Sequence, residues 1–337
     1  MRRAVALATA LAIAGAAGAG ILAYREGRAR LEPVDPAGEP VVFMVPRGAP
    51  VRRIGRDLEA AGLVRDGRLF AWLARWHGLA GRIQAGEYEL SPARSAAEIL
   101  ALLVEGRVRT FEVVVPEGFT AAQIAERLEA TGVFDGRRFL EVARSDELAR
   151  ELGLPGPGLE GYLFPDTYRW PRDTSPERIA RSMVERFRAV WAGIEPLAAR
   201  RGLDMREVVT LASIVEKETG APEERPRIAG VFLNRLARGM RLESDPTTIY
   251  GIADFDGNLR RAHLEDATNP YNTYRIEGLP PGPICNPGRE ALRAVVEPEE
   301  HDYLFFVSRN DGTHVFSRSF AEHSRAVDRF QRRRSAR

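Results

Sequence analysis

The chain has 337 residues, 44% of them hydrophobic and 28% charged, and a net charge of +2. That length suits one large or two medium domains with cores of their own, and the composition is that of a folded protein. A charge of +2 left over from 49 basic and 47 acidic residues gives no nucleic-acid footprint, and a single cysteine, Cys285, excludes an intrachain disulfide.

Ala4 to Tyr24 form an uncharged apolar run behind Arg2 and Arg3 and ahead of Arg25, Arg28 and Arg30. A helix needs about 20 apolar residues to cross a bilayer. Residues 1–30 are therefore expected to be a cytoplasmic tip and a single-pass transmembrane anchor, with the rest of the chain exported. The small residues from Ala14 to Ala19 leave a cleaved signal peptide as the alternative. Residues 31–40, with three prolines and Gly38, read as a linker.

An internal repeat follows. Val45-Pro46-Arg47-Gly48 precedes Ile54, Leu58, Gly62, Asp66-Gly67-Arg68 and Phe70, while Val115-Pro116-Glu117-Gly118 precedes Ile124, Leu128, Gly132, Asp135-Gly136-Arg137 and Phe139. Each copy opens on alternating apolar residues, a strand signal, and continues into an amphipathic helix. Ser95 to Gly106 reads as a helix between them. Residues 41–155 are thus expected to be a strand–helix repeat region, and Pro155-Gly-Pro-Gly158 the boundary to a second domain over 156–337. The fold class is α+β.

In the second domain Asp204-Met-Arg-Glu207 is a capping box opening a helix that runs to about Thr219. A second helix is expected from Glu223 to Ala237, and a short one capped by Asp245-Pro246 that ends at Gly251. Asn269 to Pro287 is a long loop, with Asn286-Pro287 capping the next helix. A hairpin turns about Asn310-Asp-Gly312, and a last helix closes the chain.

The five histidines include no pair four apart and no cysteine cluster exists, so no metal is expected; no phosphate loop or Gly-x-Ser-x-Gly elbow appears, and no cofactor is expected. Cys285 reads as an apolar filler. Carboxylates remain. On the Asp204 helix, Met205, Val208, Val209, Leu211, Ala212 and Val215 make a buried stripe, with Glu216 on one border and Glu218 on the other. Burial at such a border, near the negative helix end, raises a carboxyl pKa and suits a general acid. Periodicity does not choose between the two glutamates, nor between them and a solvated helix end. Lys217, the only lysine in the chain, stands between them, either by chance or because a compact ammonium is needed there.

Leu159-Glu-Gly-Tyr-Leu-Phe-Pro-Asp-Thr-Tyr168, Ala212-Ser-Ile-Val-Glu-Lys-Glu-Thr219, Glu243-Ser-Asp-Pro-Thr-Thr-Ile-Tyr-Gly251, Tyr271-Asn-Thr-Tyr274, Gly278-Leu-Pro-Pro-Gly282 and Tyr303-Leu-Phe-Phe-Val307 together resemble the YceG-like, endolytic murein transglycosylase family, from Val41 to the end. The resemblance implies a LysM-like glycan-binding repeat region and cleavage of the β-1,4 MurNAc–GlcNAc bond within peptidoglycan strands, leaving 1,6-anhydro-MurNAc ends. It also implies action on nascent strands at the inner membrane, with peptidoglycan synthases as partners. By motif position the acid falls at Glu216, with Glu218 as the fallback. Lys217, Asp245, Thr247, Tyr250, Asn272, Tyr274 and Glu160 are the candidates for the substrate groove. Two alternatives stand beside this reading: a two-carboxylate muramidase, and a non-catalytic peptidoglycan-binding scaffold.

Overall fold

The computed structural model describes residues 24–332, with residues 18, 20 and 22 before them. The expected anchor lies largely outside the described residues, among which no helix is long and apolar enough to cross a membrane. The fold is mixed α and β, with helices and three two-stranded sheets in the described residues. The described residues divide into two compact units, one of those up to residue 111 with 170–173, the other of residues 112–169 with those from 174 on.

In the first unit β1 (Val41–Val45) is followed by α1 (Val51–Ala60), α2 (Gly67–Trp76), β2 (Gly86–Leu90) and α3 (Ala96–Glu105). The strands pair antiparallel, Val41 opposite Leu90 and Val45 opposite Gly86. Alternation turns Phe43 and Val45 inward, onto a core with Leu58, Phe70, Tyr88 and Leu103. Ser95 and Glu98 form a capping box at the start of α3, and Gly106 ends it with φ +69°. Glu87 joins Arg109 and Arg172, at 2.9 and 2.7 Å, and these two guanidiniums hold its carboxyl below the usual range.

The second unit holds most of β3 (Thr110–Val114) and of its partner β4 (Thr167–Pro171), with α4 (Ala121–Glu129), α5 (Gly136–Ala143) and α6 (Asp146–Glu151) between them. Then come α7 (Pro176–Arg201), α8 (Met205–Glu218), α9 (Arg225–Ala237), α10 (Asp245–Tyr250), α11 (Arg261–Glu265) and α12 (Arg289–Val296). The hairpin β5 (Phe305–Ser308) and β6 (His314–Ser317) precedes α13 (Phe320–Val327).

The division falls at Phe111, not near Pro155, so the second repeat copy belongs to the larger unit. The reason is packing: α5 lies against α7. The repeat is nonetheless real in three dimensions. In the first copy Gly67 N–H donates to Glu59 at 3.1 Å, and in the second Gly136 N–H donates to Glu129 at 2.7 Å. Both glycines sit where two helices cross, and a Cβ on either would stand about 2 Å from a carbonyl oxygen, that of Gly55 or Ala125.

Helix α8 is the centre of the second unit, packed by α7, α9, α10 and α12. Its capping box from Asp204 forms as expected, and Val208, Val209, Leu211, Ala212, Ile214 and Val215 are all at most 2% exposed. A helix buried on most of its circumference carries its last turn into the interior of the domain. That is what places Glu216 and Glu218.

Two expected caps are corrected. Ser244, not Asp245, is the N-cap of α10, and its hydroxyl turns away from the helix. Gly288, not Asn286, is the N-cap of α12. The Asn286 side chain instead accepts from Leu163 N–H at 2.8 Å and donates to the Phe119 carbonyl at 2.9 Å and to Glu160 at 2.8 Å.

Candidate active site

The two glutamates at the end of α8 have different surroundings. Glu216 has both oxygens occupied: Oε1 accepts from Arg225 at 2.7 Å and Oε2 from Gly288 N–H at 2.9 Å. Its side chain is only 5% exposed, and that of Arg225 12%. The same guanidinium reaches Glu117 on the Pro-x-Gly turn at 3.4 Å. Burial, and then the charge of Glu216, raise the Glu117 carboxyl above its ordinary value. Glu216 thus ties α8 to the start of α9, to the amino end of α12 and to the turn before α4. Each Glu216 oxygen accepts one bond and keeps a second lone pair, but both oxygens are anchored to structural partners.

Glu218 faces elsewhere. One oxygen accepts from the Ser244 hydroxyl at 2.5 Å. Burial, reinforced by the negative charge of Asp245, pushes the carboxyl up to about 7, against the opposing pull of the Ser244 hydrogen bond and Arg235. It lines a cavity of about 320 Å³ with Arg235, Glu243, Asp245, Tyr274, Phe305, Phe320 and His323. That volume is at the low end of the range for ligand sites. Asp245 accepts from the Tyr274 hydroxyl at 2.7 Å. Arg235 reaches Glu243 at 3.1 Å and the carbonyls of Leu242 and Leu304, and it lies over the Phe305 ring at 5.0 Å. Glu243 has φ +50°, a left-handed conformation that is rare for a residue with a side chain and tends to occur at functional sites. His323 stacks on Phe305, and its Nδ1 is buried without a hydrogen-bond partner. Burial first, then Arg235, lowers its pKa.

The remaining candidates scatter. Asp245 and Tyr274 join the Glu218 cavity. Tyr250 and Glu160 line a different one, of about 500 Å³, with Tyr271, Thr120 and Arg144. There Glu160 accepts from Ala121 N–H at the start of α4, from Asn286 and from Tyr250, while burial pushes it up to about 7. Thr247 is fully buried, bonded to the Ser244 carbonyl and the Thr273 hydroxyl. Asn272, also fully buried, donates to the carbonyls of His263, Leu264 and Asp266 and accepts from Thr248. Both are braces rather than groove residues. Lys217 is exposed, with Nζ 3.5 Å from the Gly118 carbonyl. Cys285 is wholly buried, its thiol 3.3 Å from the Ser213 carbonyl and pushed well up by burial, as a filler would be.

Ser244, Arg235, His323 and the two phenylalanines were not singled out from sequence. Ser244 and Phe305 stand inside two of the blocks that carry the resemblance, Glu243–Gly251 and Tyr303–Val307. The others sit 17 to 105 residues from Glu218 by number, and no local pattern links them to it.

Residues 43–329 match the model of the YceG-like family. The chain is 29% identical over 325 residues to the endolytic murein transglycosylase of Bacillus subtilis, covering 91% of this chain and 90% of that one. It is 30% identical over 342 residues to the endolytic murein transglycosylase of Streptococcus pneumoniae, covering 91% of this chain and 62% of the relative's length. The crystal structure of a yceG-like protein from Listeria monocytogenes superposes with a TM-score of 0.60 at 31% identity, over 86% of this chain and all of that one.

Proposed function

The chain belongs to the YceG-like family, and from that premise we propose that it is an endolytic murein transglycosylase whose acid is Glu218. The observation that carries the residue is the contrast at the end of α8. Glu216 is tied by a guanidinium and an amide, whereas Glu218 opens on a cavity with a carboxyl held near 7. The motif had favoured Glu216; the geometry favours the fallback.

The reaction is written for one carboxyl group. Protonated Glu218 donates to the bridging oxygen as the MurNAc C1–O bond breaks and positive charge develops on the ring. The resulting carboxylate then takes the proton of that sugar's 6-hydroxyl, whose oxygen bonds to C1 and closes the 1,6-anhydro ring. The proton count balances, and no water enters. A group that acts as acid and then as base is best poised with a pKa near the working pH. The Ser244 hydrogen bond fixes one oxygen and leaves the other for the substrate. Tyr274 and Phe320 offer flat apolar surfaces to sugar faces.

Action on nascent strands, a glycan-binding role for the strand–helix repeats and synthase partners belong to the same proposal and rest on the family. Attachment to the inner membrane, with the catalytic unit outside, rests on the apolar run Ala4–Tyr24. A second reading, hydrolysis by Glu218 with Asp245 as base, is supported by the presence of both in one cavity. Mass analysis of glycan digested by the purified chain decides. Anhydro ends, one water lighter, support the transglycosylase; reducing ends alone overturn it in favour of the hydrolase. Glu218→Gln is expected to cut the cleavage rate by about 10²–10⁴-fold while leaving the fold intact, and a fully active Glu218→Gln beside an inactive, folded Glu216→Gln returns the role to Glu216.

A further inference from the structure

Helix α2 of the first unit carries an aromatic surface that the proposed chemistry leaves unused. Trp72 and Trp76, one turn apart, are 51% and 73% exposed, with ring centroids 5.3 Å apart and planes at 21°. Two exposed tryptophans stacked on each other leave a large apolar area in water. Arg68 and Arg75 are exposed on the same helix, which has no acidic residue.

This surface lies close to the point where the chain leaves the apolar run. Residues 24–29, where the apolar run Ala4–Tyr24 gives way to charged residues, are helical. The chain emerging from that run is fastened to the first unit rather than linked loosely. Arg30 reaches Asp66, the N-cap of α2, at 3.3 Å. The Leu31 carbonyl accepts from Ala96 N–H at 2.9 Å, and the Leu31 side chain packs on the core. Arg65 holds the Pro33 carbonyl at 2.6 Å. At about 1.5 Å per residue, Trp72 and Trp76 lie only about 9 and 15 Å along α2 from the residue that Arg30 grips.

We propose that the Trp72–Trp76 face of α2 rests on the bilayer surface, the indoles among the headgroups and Arg68 and Arg75 toward lipid phosphates. Tryptophan is favoured at this depth because it joins a large apolar body to one N–H, and basic side chains near an anionic surface add attraction. A glycan is the weaker occupant: sugars stack on open ring faces, and each indole here covers a face of the other. The inference rests on the membrane-anchor reading, and the experiment separates the two.

The full chain is reconstituted in phosphatidylcholine–phosphatidylglycerol vesicles whose acyl chains are brominated near the carbonyl. The chain has four tryptophans, and Trp170 and Trp191 are each 6% exposed, so quenching reports on Trp72 and Trp76. The expected result is loss of their emission to brominated lipid, absent from a Trp72→Ser/Trp76→Ser variant. A chain that co-sediments with vesicles but is quenched only by soluble acrylamide, or whose emission responds to glycan fragments and not to bromolipid, overturns the proposal and spares the anchor. A chain that does not co-sediment overturns both.

Discussion

Two carboxyl groups two residues apart on one helix differ because the helix turns about 200° between them. Glu216 is directed at Arg225 and the α12 amino end, Glu218 at the cavity. Each assignment predicts a different phenotype. Glu216→Ala leaves a nearly buried guanidinium with only its longer contact to Glu117 and is expected to lower stability by up to about 3–5 kcal/mol, read by denaturant unfolding. Glu218→Gln is expected to lower the cleavage rate by about 10²–10⁴-fold, the usual contribution of a general acid, without such a loss. For the wild type, activity requires a protonated Glu218 in the first step. With its carboxyl pushed up to about 7, kcat/KM is expected to fall as pH rises through that value. A profile flat to pH 9 would count against Glu218 as the acid. Lys217, exposed and only loosely touching the Gly118 carbonyl, is expected to tolerate Lys217→Arg with unchanged turnover; that result would mark its singularity in the sequence as a coincidence, and impaired turnover would mark a need for a compact ammonium.

At the level of elements, the repeated helix crossing is the feature whose sequence and structure agree best. Asp-Gly-Arg following an amphipathic helix appears twice because each glycine must let a neighbouring backbone approach. Alanine is the better helix former, yet Gly67→Ala and Gly136→Ala would each drive a Cβ into a carbonyl oxygen. Each is expected to cost about 1–3 kcal/mol, as overpacking does, and thermal unfolding measures it. The capping boxes at Ser95, Thr120 and Asp204 are equally local and form. The misplaced caps at Asp245 and Asn286 were lost to tertiary demand: the Ser244 hydroxyl is drawn to Glu218 and the Asn286 amide to Glu160, neither of which a local pattern reveals.

For the whole molecule, Glu160 and Glu218 both carry carboxyls pushed up to about 7 by burial. The sign of their effect on stability follows from proton counts. Between the unfolded value, near 4.5, and about 7, the native state binds more protons than the unfolded state, so stability falls as pH rises through that window. Their contribution is full below 4.5 and lost above 7. Unfolding free energies measured from pH 5 to 8 are expected to decline, and Glu160→Gln with Glu218→Gln to flatten the decline. An unchanged slope in the double variant would show that other groups set it.

Sequence by itself determined what is local or periodic: the strand–helix units, the α8 capping box and buried stripe, and the hairpin about Asn310. Together with its motif blocks it also gave the family. Tertiary structure decided the partners. What Glu216 and Glu218 each meet depends on Arg225, Gly288 and Ser244, and the cavity beside Glu218 is assembled with Arg235, Phe305, Phe320 and His323. Periodicity fixes the direction in which a side chain leaves its helix, but not what other elements bring to meet it. The free energy that ties up one carboxyl and desolvates the other comes from those distant groups.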